Sequence, residues 1–243
     1  MLTVDFELMQ IKDGEVVLDI GCGEGRHSWE VCKQWTCYIY GVDIDETSLK
    51  KAHYSFHLLD QKGELKGNWA LLKADITRLP FRDGTFDKII CSEVLEHVRD
   101  DMSAIRELAR VLKDEGILAI SVPSYLPEVI CWKLSRTYYD HPGGHVRVYK
   151  ANELIAKLEQ NNLGVFATRR KHALHSFYWI LRCLFGVSND RALLPSLYYK
   201  FLVWDIYHDS RPVRALETAL DRFFSKSLVV YTRKAYTSNA AER

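Results

Sequence analysis

The sequence predicts an α/β fold, a doubly wound sheet with helices on both faces and a helical insertion late in the chain. Two observations predict it. Short apolar runs that read as strands alternate with segments of helical periodicity up to residue 171. The first run, Val16-Val17-Leu18-Asp19-Ile20, flows into Gly21-Cys22-Gly23-Glu24-Gly25, three glycines at alternate positions. A binding loop at the carboxyl end of a strand is where such sheets hold ligands.

Each element has its own warrant. Residues 16–20 are nearly continuous in apolar side chains, as in a parallel strand buried on both faces. The glycines let the backbone turn sharply and approach a ligand closely. Residues 24 to about 35 read as a helix, so the loop is expected to offer unpaired N–H groups at its start. Tyr38 to Asp43 is a second strand ending in an acid, followed by a helix from Glu46 to about Asp60. Trp69 to Asp75 is a third strand, again ending in an acid. Phe86 to Cys91 is a fourth, leading into Ser92-Glu93-Val94-Leu95-Glu96-His97-Val98, which reads as helical. From Asp100 the apolar residues Met102, Ile105, Leu108, Ala109 and Leu112 recur at helical spacing, with Gly116 placed as a C-terminal cap. Ile117 to Val122 is a fifth strand, stopped by Pro123. Asn152 is placed to cap a helix reaching about Asn161, Val165 to Lys171 is a sixth strand, and Leu228 to Thr232 a seventh.

The glycine spacing narrows the ligand. A dinucleotide fingerprint needs Gly-x-Gly-x-x-Gly/Ala, and here the third glycine comes one residue early. No Gly-Lys-Ser/Thr follows, so the phosphate loop of nucleotide hydrolases is absent too. A loop without pyrophosphate spacing, preceded by an acid inside the strand, suits a nucleoside that carries a cationic amino acid. Asp43, 20 residues past Gly23, stands where a carboxylate can accept both ribose hydroxyls.

In order, the glycine loop, Asp43, Ala74-Asp75-Ile76, Phe86-Asp87 through Glu96-His97-Val98, and Val111 through Leu118 resemble the class I S-adenosylmethionine-dependent methyltransferases. The resemblance is to their small-molecule branch, which includes the ubiquinone-biosynthesis O-methyltransferases, and it covers roughly residues 12 to 170. It implies a Rossmann-like sheet of seven mostly parallel strands, the seventh antiparallel between the fifth and sixth. It also implies that Asp19 and the backbone of Gly21, Cys22, Gly23 and Gly25 hold the methionine part of S-adenosylmethionine. Asp43 would take the ribose, Ile44 would lie on the adenine, and Asp75 with the Ile76 backbone would meet the adenine amino group. Ser92, Glu93 and Val94 would line the wall near the sulfonium. Taken singly, Asp19, Asp43 and Asp75 also read as capping or turn residues, and Ile44 as core packing.

Composition bounds the alternatives. Lys plus Arg (33) nearly balance Asp plus Glu (32), which argues against a broad nucleic-acid surface. Ser92-Glu93-Val94-Leu95 also stands where a nucleic-acid methyltransferase would carry an Asn/Asp-Pro-Pro-Tyr motif. The six cysteines form no Cys-x-x-Cys pair and read as buried, reduced thiols of a cytoplasmic protein, Cys22 among them. The first twelve residues do not read as a signal peptide, and no apolar run approaches the ~20 residues of a membrane-spanning helix.

Between the sixth and seventh strands the chain inserts residues 173–226, rich in large aromatics such as Phe177, Trp179, Tyr199 and Trp204. Pro195 and Pro212 divide it into about three helices. The insertion is read as part of a single domain, roofing the acceptor pocket with helices 174–186 and 196–208. Two further readings stand beside this: plain packing onto the sheet, and peripheral membrane contact through Ser176 to Val187.

The expected reaction moves a methyl group from S-adenosylmethionine to a small hydrophobic or aromatic acceptor, at oxygen. An oxygen acceptor must lose its proton, which calls for a base or a metal. His145 and His141 flank Pro142-Gly143-Gly144 after the fifth strand and are the candidate bases. Relatives carry a similar His-x-Arg-x-Tyr stretch, here His145, Arg147 and Tyr149. Glu93, Glu96 and His97 would share one helical face and, with His145, resemble a divalent-ion set used by some relatives. The reading adopted is metal-free, with Glu96 and His97 bracing the loops. A non-catalytic S-adenosylmethionine-binding subunit, a nucleic-acid methyltransferase and a dehydrogenase are the alternative functions.

Overall fold

The protein is described from a computed structural model covering residues 2–140, 144–189, 191–208 and 210–235. Seven strands form one sheet: β1 (Val16–Ile20), β2 (Tyr38–Asp43), β3 (Asn68–Lys73), β4 (Phe86–Ser92), β5 (Leu112–Pro123), β6 (Leu163–Lys171) and β7 (Ser227–Lys234). Their order is β3-β2-β1-β4-β5-β7-β6. β1 to β5 pair in parallel, and β7 runs antiparallel between β5 and β6. The chain order therefore reverses between β1 and β4, opening a crevice at the carboxyl ends of the strands.

Ten helices are described: α1 (Phe6–Met9), α2 (Arg26–Gln34), α3 (Glu46–Gln61), α4 (Asp101–Val111), α5 (Tyr125–Leu134), α6 (Arg136–Tyr139), α7 (Ala151–Glu159), α8 (Ala173–Phe185), α9 (Leu193–His208) and α10 (Arg211–Phe224). Alternation along the strands divides the core in two. Leu18, Ile20, Ile89 and Ile120 pack toward Ile105 and Leu108 of α4 and Leu154 of α7. Val17, Ile39, Ile90 and Ala119 pack toward Val31 of α2 and Phe56 of α3. Asp19, between Leu18 and Ile20, therefore points to the α2 side.

Four details depart from the sequence reading, each for a local reason. Residues 92–98 form only one turn of 3-10 helix, Leu95–His97, because Glu93 takes a left-handed backbone at φ +57°. Glu93 is thus not on a shared helical face with Glu96 and His97. β5 begins at Leu112, straight after α4, and bulges before pairing resumes at Lys88 with Ile117. Gly116 sits in that bulge rather than at a helix cap, and a Cβ there would meet the Lys113 carbonyl oxygen at 2.8 Å. The cap of α7 falls on Lys150 rather than Asn152. Finally, α5 stands where the sequence reading assigned no element.

The insertion after β6 supplies α8, α9 and α10, with Pro195 and Pro212 in the first turns of the last two. α8 packs on α5, α9 and α10. Among the described residues, no helix is long and apolar enough to cross a membrane.

Candidate active site

A cavity of about 870 Å³ opens at the carboxyl ends of β1, β2, β3 and β4. β1 contributes Ile20 and Gly21; β2 and the turn after it contribute Asp43, Ile44, Asp45 and Ser48. Residues 74–77 follow β3, and Glu93, Val94 and 97–100 follow β4. Gly21 is at φ +68°, and a Cβ there would run into Val94 Cγ2, so the loop and the wall opposite meet only because this residue is glycine. Asp43 is fixed from both sides: the Gly23 N–H donates to Oδ2 (2.8 Å) and the Asp45 N–H to Oδ1 (2.8 Å). Asp75 accepts from the Thr77 N–H and hydroxyl at 2.8 and 2.9 Å. Ile44 is 65% exposed against this acid-lined space, an apolar surface suited to a flat ring.

The loop amides are not free as expected. The N–H groups of Gly21 and Cys22 both donate to the Val42 carbonyl (2.7 and 3.0 Å), Gly23 to Asp43, and Gly25 to the Cys22 carbonyl (2.8 Å). With four loop donors engaged and carboxylates lining the walls, the cavity is poorly made for a pyrophosphate. It suits a cationic nucleoside.

Asp19 does not reach the cavity. Its side chain is buried and accepts a 2.5 Å bond from Ser28 Oγ on α2. Burial pushes its carboxyl up to about 7, against the lowering effect of the Ser28 bonds. Cys22 is likewise buried, and burial next to Asp19 and Asp43 pushes its thiol up, which removes it as a nucleophile. Ser92 is engaged with the Ser121 hydroxyl at 2.9 Å. Of the predicted cofactor residues, Gly21, Asp43, Ile44, Asp75, Ile76, Glu93 and Val94 line the cavity; Asp19, Cys22, Gly23, Gly25 and Ser92 do not.

A second cavity of about 320 Å³ adjoins the first through His97, which lines both. Its walls are Trp132 of α5, Thr137 and Tyr138 of α6, Gly144 and His145 of the following loop, and Trp179 and Val187 from α8 and beyond it. Glu128 and Lys226 complete it. Glu128, buried in the first turn of α5, faces His145 Nδ1 at 2.5 Å and accepts from Trp132 Nε1 (2.9 Å) and Tyr138 Oη (3.1 Å). His141, the other candidate base, lies outside the described residues. Sequence reading missed Glu128, Trp132 and Lys226; the only signal was Ser124-Tyr125-Leu126-Pro127-Glu128, a cap-like serine ahead of a first-turn proline and acid.

Beneath both cavities lies Glu96, 1% exposed. Among the described residues neither of its carboxylate oxygens has a hydrogen-bond partner. Burial, then the nearby Glu93 carboxylate, raises its carboxyl well above the ordinary value. Donor atoms of Glu96, His97 and His145 lie within 4.8 Å of one another, close enough for a cation to bridge them. Glu93 stands apart from this group, accepting from Ser121 Oγ at 3.0 Å and facing Lys226 at 3.7 Å. The His145 loop is tied to α4 through Asp101, which pairs with Arg147, Tyr149 Oη (2.6 Å) and Lys157 Nζ (2.6 Å).

Comparison with known proteins finds a methyltransferase domain in part of the chain. A profile described as a methyltransferase domain matches residues 18–120. The sterol 24-C-methyltransferase of Eremothecium gossypii is 32% identical over 111 residues, which is 45% of this chain and 28% of that protein. The 27-O-demethylrifamycin SV methyltransferase of Amycolatopsis mediterranei is 29% identical over 113 residues, 46% of this chain and 40% of that one. The solved structure of a geranyl diphosphate methyltransferase in complex with S-adenosylmethionine superposes with a TM-score of 0.64 over 94% of this chain and 82% of that chain, at 11% identity.

Residues 18–120 are thus similar to a methyltransferase domain, and the fold around them is that of solved methyltransferases. The chain spans under half the length of these curated relatives, and the family profile ends at residue 120, before α5 and the insertion. The cavity residues are of the kinds S-adenosylmethionine would need: carboxylates for a cation and for hydroxyls, an exposed isoleucine for a purine, and a glycine where the backbone must come close.

Proposed function

We propose that this protein is a class I S-adenosylmethionine-dependent methyltransferase that transfers a methyl group from S-adenosylmethionine to a hydroxyl of a small hydrophobic or aromatic acceptor held in the second cavity. One observation carries the reading. The acid-lined cofactor cavity and an aromatic cavity containing His145 meet at His97, so donor and acceptor can lie on either side of one wall.

The bound cofactor supplies an electrophilic methyl group on a sulfonium with an excellent leaving group. What remains for the chain is binding, alignment, exclusion of water and removal of a proton. Asp43 and Asp75 would take the ribose and the adenine edge, Ile44 the adenine face, and the Gly21 turn the amino-acid end, with Asp19 holding that turn through α2. Trp132, Tyr138 and Trp179 offer flat apolar surface to an acceptor ring, and Trp179 makes α8 the roof. α9 packs on α8 and lines neither cavity, so the roof is narrower than the sequence suggested. His145 is the base. A non-catalytic subunit would have no use for the second cavity, and free thiols at all six cysteines suit the cytoplasm.

The test is direct. The full chain is incubated with methyl-labelled S-adenosylmethionine and a cell extract of lipids and metabolites. Label is expected in an apolar small molecule as an O-methyl ether, with His145→Gln slowing its appearance by about 10²-fold. Label confined to nucleic acid or protein would overturn the reading.

A further inference from the structure

Glu128 has no counterpart among the residues that bind the cofactor, yet it is more tightly engaged than any other group in the acceptor cavity. A buried carboxylate is expensive unless its partners repay desolvation. Here three side chains converge on it. Trp132 Nε1 and His145 Nδ1 meet Oε1 at 2.9 and 2.5 Å, and Tyr138 Oη donates to Oε2 at 3.1 Å. Trp132 and Tyr138 hold the carboxylate still, and its place in the first turn of α5 favours the anion.

The consequence falls on the imidazole. An Nδ1 that faces a carboxylate carries its proton there, leaving the lone pair on Nε2. Among the described residues, Nε2 of His145 has no hydrogen-bond partner, and the ring lies 4.9 Å from that of His97 at the meeting of the two cavities. We propose that Glu128 is the positioning residue of a carboxylate–imidazole dyad that holds His145 with its Nε2 lone pair toward the acceptor hydroxyl. This rests on the reading of His145 as the base. The hydroxyl O–H bond breaks, its proton forms an N–H bond at Nε2, and the imidazolium stays bonded through Nδ1–H to Glu128 until water removes the proton.

The experiment uses the full chain labelled with 15N-histidine, with His145 assigned from the His145→Gln variant. Two-bond 1H–15N correlations at mildly alkaline pH report which nitrogen carries the proton. The expected result is Nδ1–H in the wild type and Nε2–H in Glu128→Gln, whose amide donates to Nδ1. The same variant loses about 10²-fold in kcat with little change in acceptor KM, Glu128→Asp recovers part of it, and S-adenosylhomocysteine affinity is unchanged. A tautomer that ignores Glu128→Gln overturns the dyad even when His145→Gln is inactive. A tautomer that follows Glu128 while His145→Gln turns over normally leaves the dyad standing and sinks the base reading instead. Should Glu128→Gln not fold, the wild-type tautomer decides alone: Nε2–H, or protons on both nitrogens, overturns the proposal.

Discussion

At Asp19 a carboxylate is shut away from water with one hydroxyl for company, and its folded-state value of about 7 has a consequence for stability. A raised acid favours the fold fully below its unfolded value near 3.8, and that contribution is lost as pH rises toward 7. The shift is worth about 4 kcal/mol at most. Asp19→Asn keeps an acceptor for Ser28 and should remove this slope from a plot of unfolding free energy against pH. His27, His172 and His175 act in the opposite sense. Burial first, and then nearby positive charge, lowers them to about 4, 3 and 4. Their contribution is present above pH 6.5 and lost as pH falls through those values. From these four groups, denaturant titrations should find stability rising from about pH 4 to about pH 7 and level above it, with the rise flattened in His27→Gln, which can still accept from Thr3 and Val4.

Gly21 gives a sharper residue-scale test, because its left-handed backbone and the Val94 side chain both exclude a Cβ. Gly21→Ala should cost about 1–2 kcal/mol from backbone alone and weaken S-adenosylhomocysteine binding by at least about tenfold, read by calorimetry. This position was legible in the sequence, as were Asp43 and Asp75, because acids ending apolar strands after a glycine turn can be placed by spacing. The orientation of Asp19 was harder to read. Strand alternation puts it on the α2 face, but only the fold shows Ser28 waiting there.

At the scale of elements, the loop from Gly144 to Lys150 owes its position to Asp101 at the start of α4. Arg147, Tyr149 and Lys157 all point at one carboxylate, held down to about 2 because these bonds outweigh its burial. Asp101→Ala removes the shared partner of a tyrosine and two cations, leaving Lys157 with Glu153 and Arg147 with the Arg99 carbonyl, and should cost about 3 kcal/mol in denaturant unfolding. Its kcat should fall as well, since the His145 loop loses its anchor. For the insertion, Trp179→Ala should raise acceptor KM while leaving cofactor affinity alone; an unchanged KM would remove α8 from the acceptor site. The six parallel and antiparallel neighbours of the sheet followed from alternation and the family resemblance. The segments read wrongly were those where one backbone torsion overrides pattern: φ +57° at Glu93 breaks a helix, and the bulge before Gly116 turns an expected cap into strand. α5 escaped notice because its apolar residues lack a one-sided stripe: it packs on α8 through buried residues such as Cys131 while Tyr125, Leu126 and Leu134 stay exposed.

For the molecule as a whole, the carboxyl ends of β1 to β4 form the proposed cofactor half of the site, and α5, α6, the His145 loop and α8 form most of the proposed acceptor half. The cofactor half lies within residues 18–120, which match known methyltransferases. Most of the acceptor half lies outside them, in α5, α6, the His145 loop and α8. Such pockets are assembled from chain segments far apart in sequence, so no local motif announces them. Base catalysis by His145 without a metal predicts that exhaustive chelation leaves turnover unchanged. Loss on chelation with recovery on adding back a divalent ion would instead assign Glu96, His97 and His145 to that ion.

The central claim is that the acid-lined crevice at β1, β2 and β3 receives an adenosyl sulfonium. Calorimetric titration with S-adenosylhomocysteine tests it most directly. Binding of a single molecule per chain is predicted, weakened about tenfold or more by Asp43→Ala and by Asp75→Ala. Absence of binding, with a nicotinamide dinucleotide or a nucleoside triphosphate taken up in its place, would contradict it.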